Sequence, residues 1–360
     1  MADADAGAAP DQVPGVPHPR ENPHLFGHKE AERAFLDGWR AGRLHHAWLI
    51  GGPEGIGKAT LAYRMARFLL ASGDDRATED RGLAIPAQHP AFRQVAAQSH
   101  PDLAVVRRGP RRDGKGYSAE ISVADVRRGL ALFASGAGGG GYRICIVDSA
   151  DDLNQSSANA LLKLVEEPPA RSLFLIVSHA PQRVLPTIRS RCRRLPLRPL
   201  DAASLQAALR SLGSSWTELD AERIGRAVAL GEGSVRRAIH MLDEDATAVI
   251  DEVSALLAAL PRVDGKRVFA LAESLSRRGA EDAFALALDT LVRWASEQLE
   301  AGAAAGPARL APLVEVCEKV ARAAAEVDTY NLDRRPLVLS MFADLAEAVR
   351  GTAEPQQPFA

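Results

Sequence analysis

The sequence predicts an α/β fold with a parallel sheet in its first half and an all-helical arrangement in its second half. Short apolar runs alternate with helical stretches as far as Pro199, which is the pattern of a parallel sheet with crossover helices. A glycine-rich turn joins the first apolar run to a helix. Beyond Pro199 every periodic segment has helical spacing. The length of 360 residues leaves room for two or three domains.

The elements of the first half follow from their periodicity and their boundary residues. The predicted strands are 47–50, 102–106, 143–148 and 173–177, and the predicted helices are 30–41, 58–71, 123–133 and 156–166. Ser122 is expected to cap the third of these helices. The polar stretch 72–99 predicts an irregular insertion with short helical pieces. The segments 107–119 and 136–141 predict a mobile loop and a flexible tip.

The second half predicts helices over 204–212, 218–229 and 234–242, and then Ala- and Leu-rich helices to about residue 350. We therefore expect a disordered leader over 1–22, an α/β domain over 23–199 and a small helical domain over 200–245. A C-terminal helical domain over 246–350 and a frayed tail over 351–360 would follow.

Composition excludes several classes of protein. The chain is 46% hydrophobic and 25% charged, as folded globular chains are. A net charge of -2 means that nucleic acid would have to bind at a local basic patch. Three widely spaced cysteines predict neither a disulfide framework nor a CxxC metal site. This cysteine usage predicts a reducing cytoplasm, and the absence of a secretory pattern or a long apolar run predicts a soluble protein that does not contact membrane.

The glycine-rich turn has the pattern of a phosphate-binding loop. Gly52, Gly55 and Gly57 precede Lys58 between a strand and a helix, the context that such a loop requires. The backbone N–H groups would surround phosphate oxygens and Lys58 would reach the outer phosphates. The sequence therefore predicts a site that can hold ATP or ADP, with a chance glycine-rich turn as the alternative interpretation. Ala59 replaces the hydroxyl residue that would hold Mg²⁺, so the presence of the metal is uncertain.

Asp148 ends an apolar strand downstream of the loop. This is the position of the Walker B carboxylate that orients the metal. A strand-end turn residue is the alternative interpretation.

Several blocks of sequence together resemble one family. They are 148–169, with Asn-Ala-Leu-Leu-Lys and Glu-Glu-Pro-Pro inside it, 188–192, with Ser-Arg-Cys, 25–28, 46–49, and 331–336. In these blocks the chain resembles the bacterial DNA polymerase III clamp-loader subunits, and the delta-prime family best. The resemblance covers nearly the whole chain from Pro23.

The resemblance implies an AAA+ core, a helical lid and a C-terminal collar that holds a hetero-pentamer together. The expected partners are gamma/tau-type and delta-type clamp-loader subunits, the sliding clamp, and primed DNA through the assembly. Subunits of this kind commonly carry a four-cysteine zinc module, but no cysteine lies between Lys58 and Ile144. Zinc is therefore not expected.

The resemblance also assigns roles to individual residues. Ser178 stands where AAA+ proteins place a polar sensor of the terminal phosphate, and Arg236 would point from the lid to the nucleotide. Ser149 replaces the glutamate that activates water, so turnover in this site should be slow or absent. Arg191 matches the arginine finger that completes a neighbouring subunit's site. Ser178 as a strand-end cap, and Arg236 and Arg191 as solvated surface arginines, remain alternatives.

The sequence also predicts a DNA contact and a surface for partner helices. Arg127 and Arg128 are placed in the first turns of a helix, where they would contact DNA phosphate, or else lie on a solvated face. Wide apolar stripes over 284–299 and 313–327 predict collar contacts, or an ordinary internal bundle. The alternative functions are an independently active AAA+ ATPase, such as a helicase loader or remodelling motor, and a small-molecule kinase.

Overall fold

The computed structural model of the chain describes residues 12–13, 15–71, 82–111, 116–133, 141–213, 219–242, 244–277, 279–302, 307–330 and 332–353. These residues form two compact units, 1–239 and 240–360. The predicted boundary between core and lid at residue 199 lies inside the first unit, so that boundary and the domain division as a whole remain predictions. In the described ranges, no helix is long and apolar enough to cross a membrane.

The first unit is built on a five-stranded sheet. Its strands are β1 (Ala47–Gly51), β2 (Leu103–Val106), β3 (Arg143–Val147), β4 (Ser172–Ser178) and β5 (Arg193–Pro196). They lie in the order β2-β3-β4-β1-β5, and every neighbouring pair is parallel. β1, β3 and β4 are buried at every position, which explains the apolar run inside each of them. The predicted α/β fold class is confirmed.

The fifth strand was not predicted from the sequence. Only Leu195 of β5 is buried, and the other three residues are exposed. β5 pairs with β1 on one side alone. An edge strand with two arginines and a proline lacks the apolar run that reveals a buried strand.

Nine helices of the first unit lie in the described ranges. They are α1 (Lys29–Arg40), α2 (Lys58–Leu70), α3 (Pro90–Ala96), α4 (Val123–Leu130), α5 (Gln155–Glu166), α6 (Pro186–Arg189), α7 (Ala202–Arg210), α8 (Ala221–Gly231) and α9 (Val235–His240). Ser122 caps α4 in a capping box with Asp125, as the sequence predicted for this helix start. The α-helix ends three residues before the predicted end, and a 3₁₀ turn covers Ala131–Phe133.

The predicted insertion and leader are only partly described. Within 72–99, the residues up to 81 lie outside the described ranges, and α3 supplies the expected short helical piece. Most of the predicted tip at 136–141 also lies outside. In the predicted leader, His18 is only 5% exposed and its ring meets Tyr63 of α2 edge to face. This part of the leader therefore packs on the first unit.

The second unit consists of helices around its own apolar core. They are α10 (Glu244–Ala258), α11 (Gly265–Leu275), α12 (Glu281–Gly302), α13 (Pro307–Tyr330) and α14 (Arg335–Ala353). Each of the five contributes buried residues to this core, among them Val253, Leu271, Leu291, Val320 and Phe342.

Candidate nucleotide site

The phosphate-binding loop runs from the end of β1 to the start of α2. Gly52, Gly55 and Gly57 have φ values of 149°, 75° and 101°, which side chains larger than hydrogen adopt only under strain. The N-cap of α2, Gly57, offers no side-chain hydrogen bond to the helix. The first N–H groups of α2 are therefore not capped by that side chain, which is the arrangement that binds phosphate at a helix start.

Lys58 is held inside this loop. Its side chain is nearly buried, at 3% exposure, and Nζ donates to the Gly52 carbonyl at 2.7 Å and to the Pro53 carbonyl. Burial lowers the pKa of Lys58 to about 8, although Glu54, Asp148 and Asp151 oppose this effect. Lys58 therefore has to exchange loop carbonyls for phosphate oxygens when a nucleotide binds.

Asp148 follows β3 directly, at the carboxyl edge of the sheet. Its N–H donates to the Val106 carbonyl at 2.9 Å, which joins the ends of β2 and β3. Asp148 and Lys58 both line the same cavity, so the structure brings the two predicted residues together. Ser149 is 3% exposed, and its hydroxyl is not a base near neutral pH.

Ser178 is the last residue of β4 rather than the residue after it. Its Oγ donates to Asp151 Oδ1 at 2.9 Å, and the His179 and Ala180 N–H groups donate to the same carboxylate at 2.6 and 2.9 Å. Burial raises the pKa of Asp151, but these hydrogen bonds outweigh it and the pKa is lowered. In this structure the Ser178 hydroxyl therefore binds Asp151, and the sensor role remains a prediction.

Asp151 was missed in the sequence analysis. The sequence showed only that an aspartate stands three residues after Asp148. The hydrogen-bond partners of Asp151 lie at the end of β4, far along the chain, and no local pattern connects them to it.

Arg236 lies beside the loop, on α9. Its Nη1 is 3.2 Å from Glu54 Oε1, and the N–H of Val235 donates to the Gly55 carbonyl at 2.9 Å. The start of α9 approaches Gly55 so closely that a Cβ there would lie 2.3 Å from Ser234 Oγ. The predicted placement of Arg236 toward the cleft therefore rests on a direct contact between this helix and the loop.

A cavity of about 190 Å³ adjoins the loop, Asp148 and Arg236. Apolar side chains from three separate segments form its other walls, namely Val13, Val16, Leu25, Leu200, Leu212 and Ile239. Glycine-rich backbone and Lys58 at one end fit phosphates, and the apolar walls fit a base. The Ala59 side chain has no hydroxyl to bind a metal ion, so the loop does not fit Mg²⁺ in the usual way.

Part of the cavity wall comes from the segment that the sequence analysis assigned to the leader. Val13, Val16 and His18 line the cavity, and burial lowers the pKa of His18 to about 3. The Ala-, Gly- and Pro-rich sequence of the predicted leader did not indicate that this segment lines a cavity.

Arg191 lies away from the cavity, between α6 and β5. Its Nη1 donates to the Thr187 carbonyl at 2.9 Å, and its Nη2 is 2.8 Å from Glu166 Oε1. It does not line the cavity that Lys58 and Asp148 share. The structure therefore does not bring the predicted finger to the nucleotide site of its own chain.

The placement of Arg127 and Arg128 corrects one premise of the sequence analysis. α4 is short, so both residues lie in its last turn and not in its first turns. Carbonyl groups, rather than N–H groups, are free at that end of a helix. Arg128 is also paired with Asp125 on the same helix. The helix start cannot support a phosphate contact at these two side chains.

No cluster of three or more His, Cys, Asp or Glu side chains that could hold a metal ion occurs in the part of the chain that the structure describes. Cys145 and Cys192 are buried, and Cys317 is partly exposed.

Comparison with known proteins found similar sequences among subunits of DNA polymerase III. The family described as DNA polymerase III, delta subunit, matches residues 27–201. The delta' subunit of Pseudomonas aeruginosa is 34% identical over 218 residues, which is 59% of this chain and 61% of that protein. The delta' subunit of Yersinia pestis is 31% identical over 228 residues, 62% of this chain and 63% of that protein.

A longer but weaker match is the tau subunit of Escherichia coli, 28% identical over 281 residues, 71% of this chain and 40% of that protein. The matches thus span about three fifths of the delta' relatives and less of the tau subunit.

Proposed function

Because the family described as DNA polymerase III, delta subunit, matches residues 27–201, we propose that the chain is a delta-prime-like subunit of a clamp loader. In this role it helps to place a sliding clamp on primed DNA during replication. Its partners are gamma/tau-type and delta-type subunits in a hetero-pentamer, and it works in the cytoplasm.

The position of Arg191 is the observation that carries this proposal. The chain has a phosphate-binding loop, but Ala59 and Ser149 deprive that site of a metal ligand and a base. Arg191 does not line the nucleotide cavity of its own chain, and its side chain is 40% exposed. A planar, permanently charged guanidinium at such a place is suited to pair with phosphate oxygens on a neighbouring subunit.

The nucleotide site of the chain itself then has a structural role. Lys58, Arg236 and the glycine loop can hold ATP or ADP, and the bound nucleotide would join the core to the helices over 200–245. Turnover is slow without a residue that activates water. The chain works mainly as a stator and as the donor of a finger.

Substitution of Arg191 tests the proposal. Arg191→Ala should leave folding and assembly intact and lower the DNA- and clamp-stimulated ATP hydrolysis of the whole assembly by about 10³–10⁵-fold at the neighbouring site. Arg191→Lys should restore little, because an ammonium group cannot make the bidentate contact. The matched control is Arg189→Ala, which removes a nearby, partly exposed arginine.

Clamp loading at the normal rate by the Arg191→Ala assembly would refute the trans-acting role. Robust ATP hydrolysis by the isolated chain would instead favour an independently active AAA+ ATPase.

A further inference from the structure

The guanidinium of Arg191 is engaged within its own chain. Nη1 donates to the Thr187 carbonyl at 2.9 Å, and Nη2 lies 2.8 Å from the Glu166 carboxylate. A bidentate contact with phosphate requires two N–H groups on one edge of the guanidinium. Each terminal nitrogen already directs one of its two N–H groups to a partner within the chain, so a phosphate that binds both nitrogens competes with Thr187 and Glu166 for the position of the guanidinium.

The carboxylate is held in place by the packing of two helices. Glu166 is the last residue of α5, and Arg191 follows α6. Ile188 of α6 is buried in the same core cluster as Leu161 and Val165 of α5. The helix packing therefore keeps Glu166 within reach of the segment that carries Arg191.

The end of α5 adds to the attraction for a cation. The last carbonyls of a helix carry partial negative charge, which favours a basic group nearby. The ring of His46 contacts the Val165 carbonyl, with Nε2 at 3.0 Å from the oxygen, and so ties this end of the helix to the residue before β1. Arg191 thus pairs with a carboxylate that belongs to the last residue of a helix.

We propose that Glu166 is a positioning residue that latches Arg191 to its own subunit until a neighbour presents a nucleoside triphosphate. The inference rests on the proposed function of Arg191 as a finger. The terminal phosphate carries more negative charge than one carboxylate and accepts two hydrogen bonds in one plane. A triphosphate can therefore displace Glu166. The latch keeps the finger idle when that phosphate is absent.

The expected effect is small, because both partners are partly exposed to solvent, at 40% and 39% for Arg191 and Glu166. Loss of this ion pair should raise the fraction of molecules in which Arg191 is not bound to Glu166 by about two- to fivefold. This change corresponds to about 0.4–1 kcal/mol. The effect should shrink as salt is added, because ions screen an exposed pair.

The test uses the reconstituted assembly with four versions of this chain, namely Glu166→Gln, Glu167→Gln, Arg191→Ala and the Glu166→Gln/Arg191→Ala double variant. Glu166→Gln should raise DNA- and clamp-stimulated ATP hydrolysis about two- to fivefold at low salt. Glu167→Gln removes the same charge one residue away and should leave the rate unchanged. The double variant should match Arg191→Ala, since there is then no finger to release.

Each contrary result has a distinct meaning. If Arg191→Ala leaves the rate unchanged, the finger itself and the latch both fail. If Arg191→Ala lowers the rate but Glu166→Gln does not raise it, the latch alone is refuted. An equal rise with Glu167→Gln, or a rise that persists in the double variant, would also refute it. Thermal unfolding of each variant chain checks that the substitutions leave the fold unchanged.

Discussion

Lys58 is the residue on which phosphate binding in the loop depends, and its charge is sensitive to pH. Burial lowers its pKa from 10.5 to about 8, whereas a bound phosphate favours the charged form and raises it again. Binding therefore weakens as the pH rises through the pKa of the free chain. We expect the affinity for ADP, measured by calorimetry, to fall about tenfold between about pH 7 and about pH 9.

A Lys58→Met chain is the control for this pH profile, and it should bind ADP weakly with a flat profile over the same range. The effect on stability has the opposite sign. Between pH 8 and 10.5 the unfolded state holds the proton that the folded state has lost, so this group's contribution to the free energy of unfolding rises with pH. An ADP affinity independent of pH would contradict the buried placement of Lys58.

Gly55 provides a test of the contact between the loop and α9. Gly55 has a φ of 75°, and an added Cβ would lie 2.3 Å from Ser234 Oγ and 2.6 Å from the Arg236 Cβ. Gly42 has a similar φ of 64° with no atom within 4 Å of its Cβ position. Both alanine variants should lose about 1–2 kcal/mol of unfolding free energy from the backbone.

Only Gly55→Ala should lose a further 1–3 kcal/mol or so from the clash, together with nucleotide affinity. Urea unfolding of the two chains measures the difference. Equal losses for Gly42→Ala and Gly55→Ala would mean that α9 does not rest on the loop.

At the residue scale, sequence reasoning located the groups that local motifs define and missed those that depend on packing. Lys58 was found because it ends a glycine-rich turn between a strand and a helix. Asp148 was found because it directly follows an apolar strand. Asp151 and Glu166 were not found, since their partners lie 27 and 25 positions away in sequence. Such pairs arise only when separate helices and strands meet.

At the scale of single elements, strands buried on both faces were predicted well. β1, β3 and β4 each contain a run of apolar residues because both faces of the sheet are covered. β5 was missed because an edge strand needs no apolar run. α4 was located by its cap but predicted three residues too long, since the sequence does not distinguish a 3₁₀ end from a helical turn.

The position of α4 refines the proposed contact with DNA. Arg127 and Arg128 lie in its last turn, so any contact must come from the side chains alone. Replacing both by Ala should make the slope of log affinity against log salt shallower, in the whole assembly with primed DNA. The change should be about 0.7–0.9 for each phosphate that these side chains neutralise. Arg210→Ala, at the exposed end of α7, is the control. A slope that stays the same in the double variant would leave both arginines on a solvated face.

At the scale of the whole molecule, the sequence indicated the change from α/β to all-helical structure but not where the compact units divide. α7, α8 and all of α9 except its last residue fall within the first unit, although the sequence pattern separates them from the sheet. Helix follows helix around residue 240, and helical periodicity does not show which helices share a core. That information comes from packing, such as the contact of Val235 with Gly55.

The second unit contains the helices that the sequence assigned to the collar. Many apolar residues of the stripes that suggested partner helices are buried inside the unit, including Phe284, Leu291, Leu313 and Val327. An internal bundle therefore accounts for much of each stripe. Large apolar side chains remain exposed on several of its helices, among them Phe269 at 47% and Val292 at 52%. The collar remains a proposal that rests on such exposed residues and on the family.

Removal of the second unit separates the two roles that we propose for the chain. A chain that ends at Leu242 keeps the sheet, the loop and α9, whose buried core clusters lie within the first unit. It should therefore unfold cooperatively and bind ADP as the full chain does. It should fail to co-elute with gamma/tau-type and delta-type subunits in size-exclusion chromatography, because the collar would supply the assembly contacts.

A chain that ends at Ala353 is the control and should assemble normally. Assembly of the shorter chain would show that the first unit makes the essential contacts and that the collar assignment is wrong.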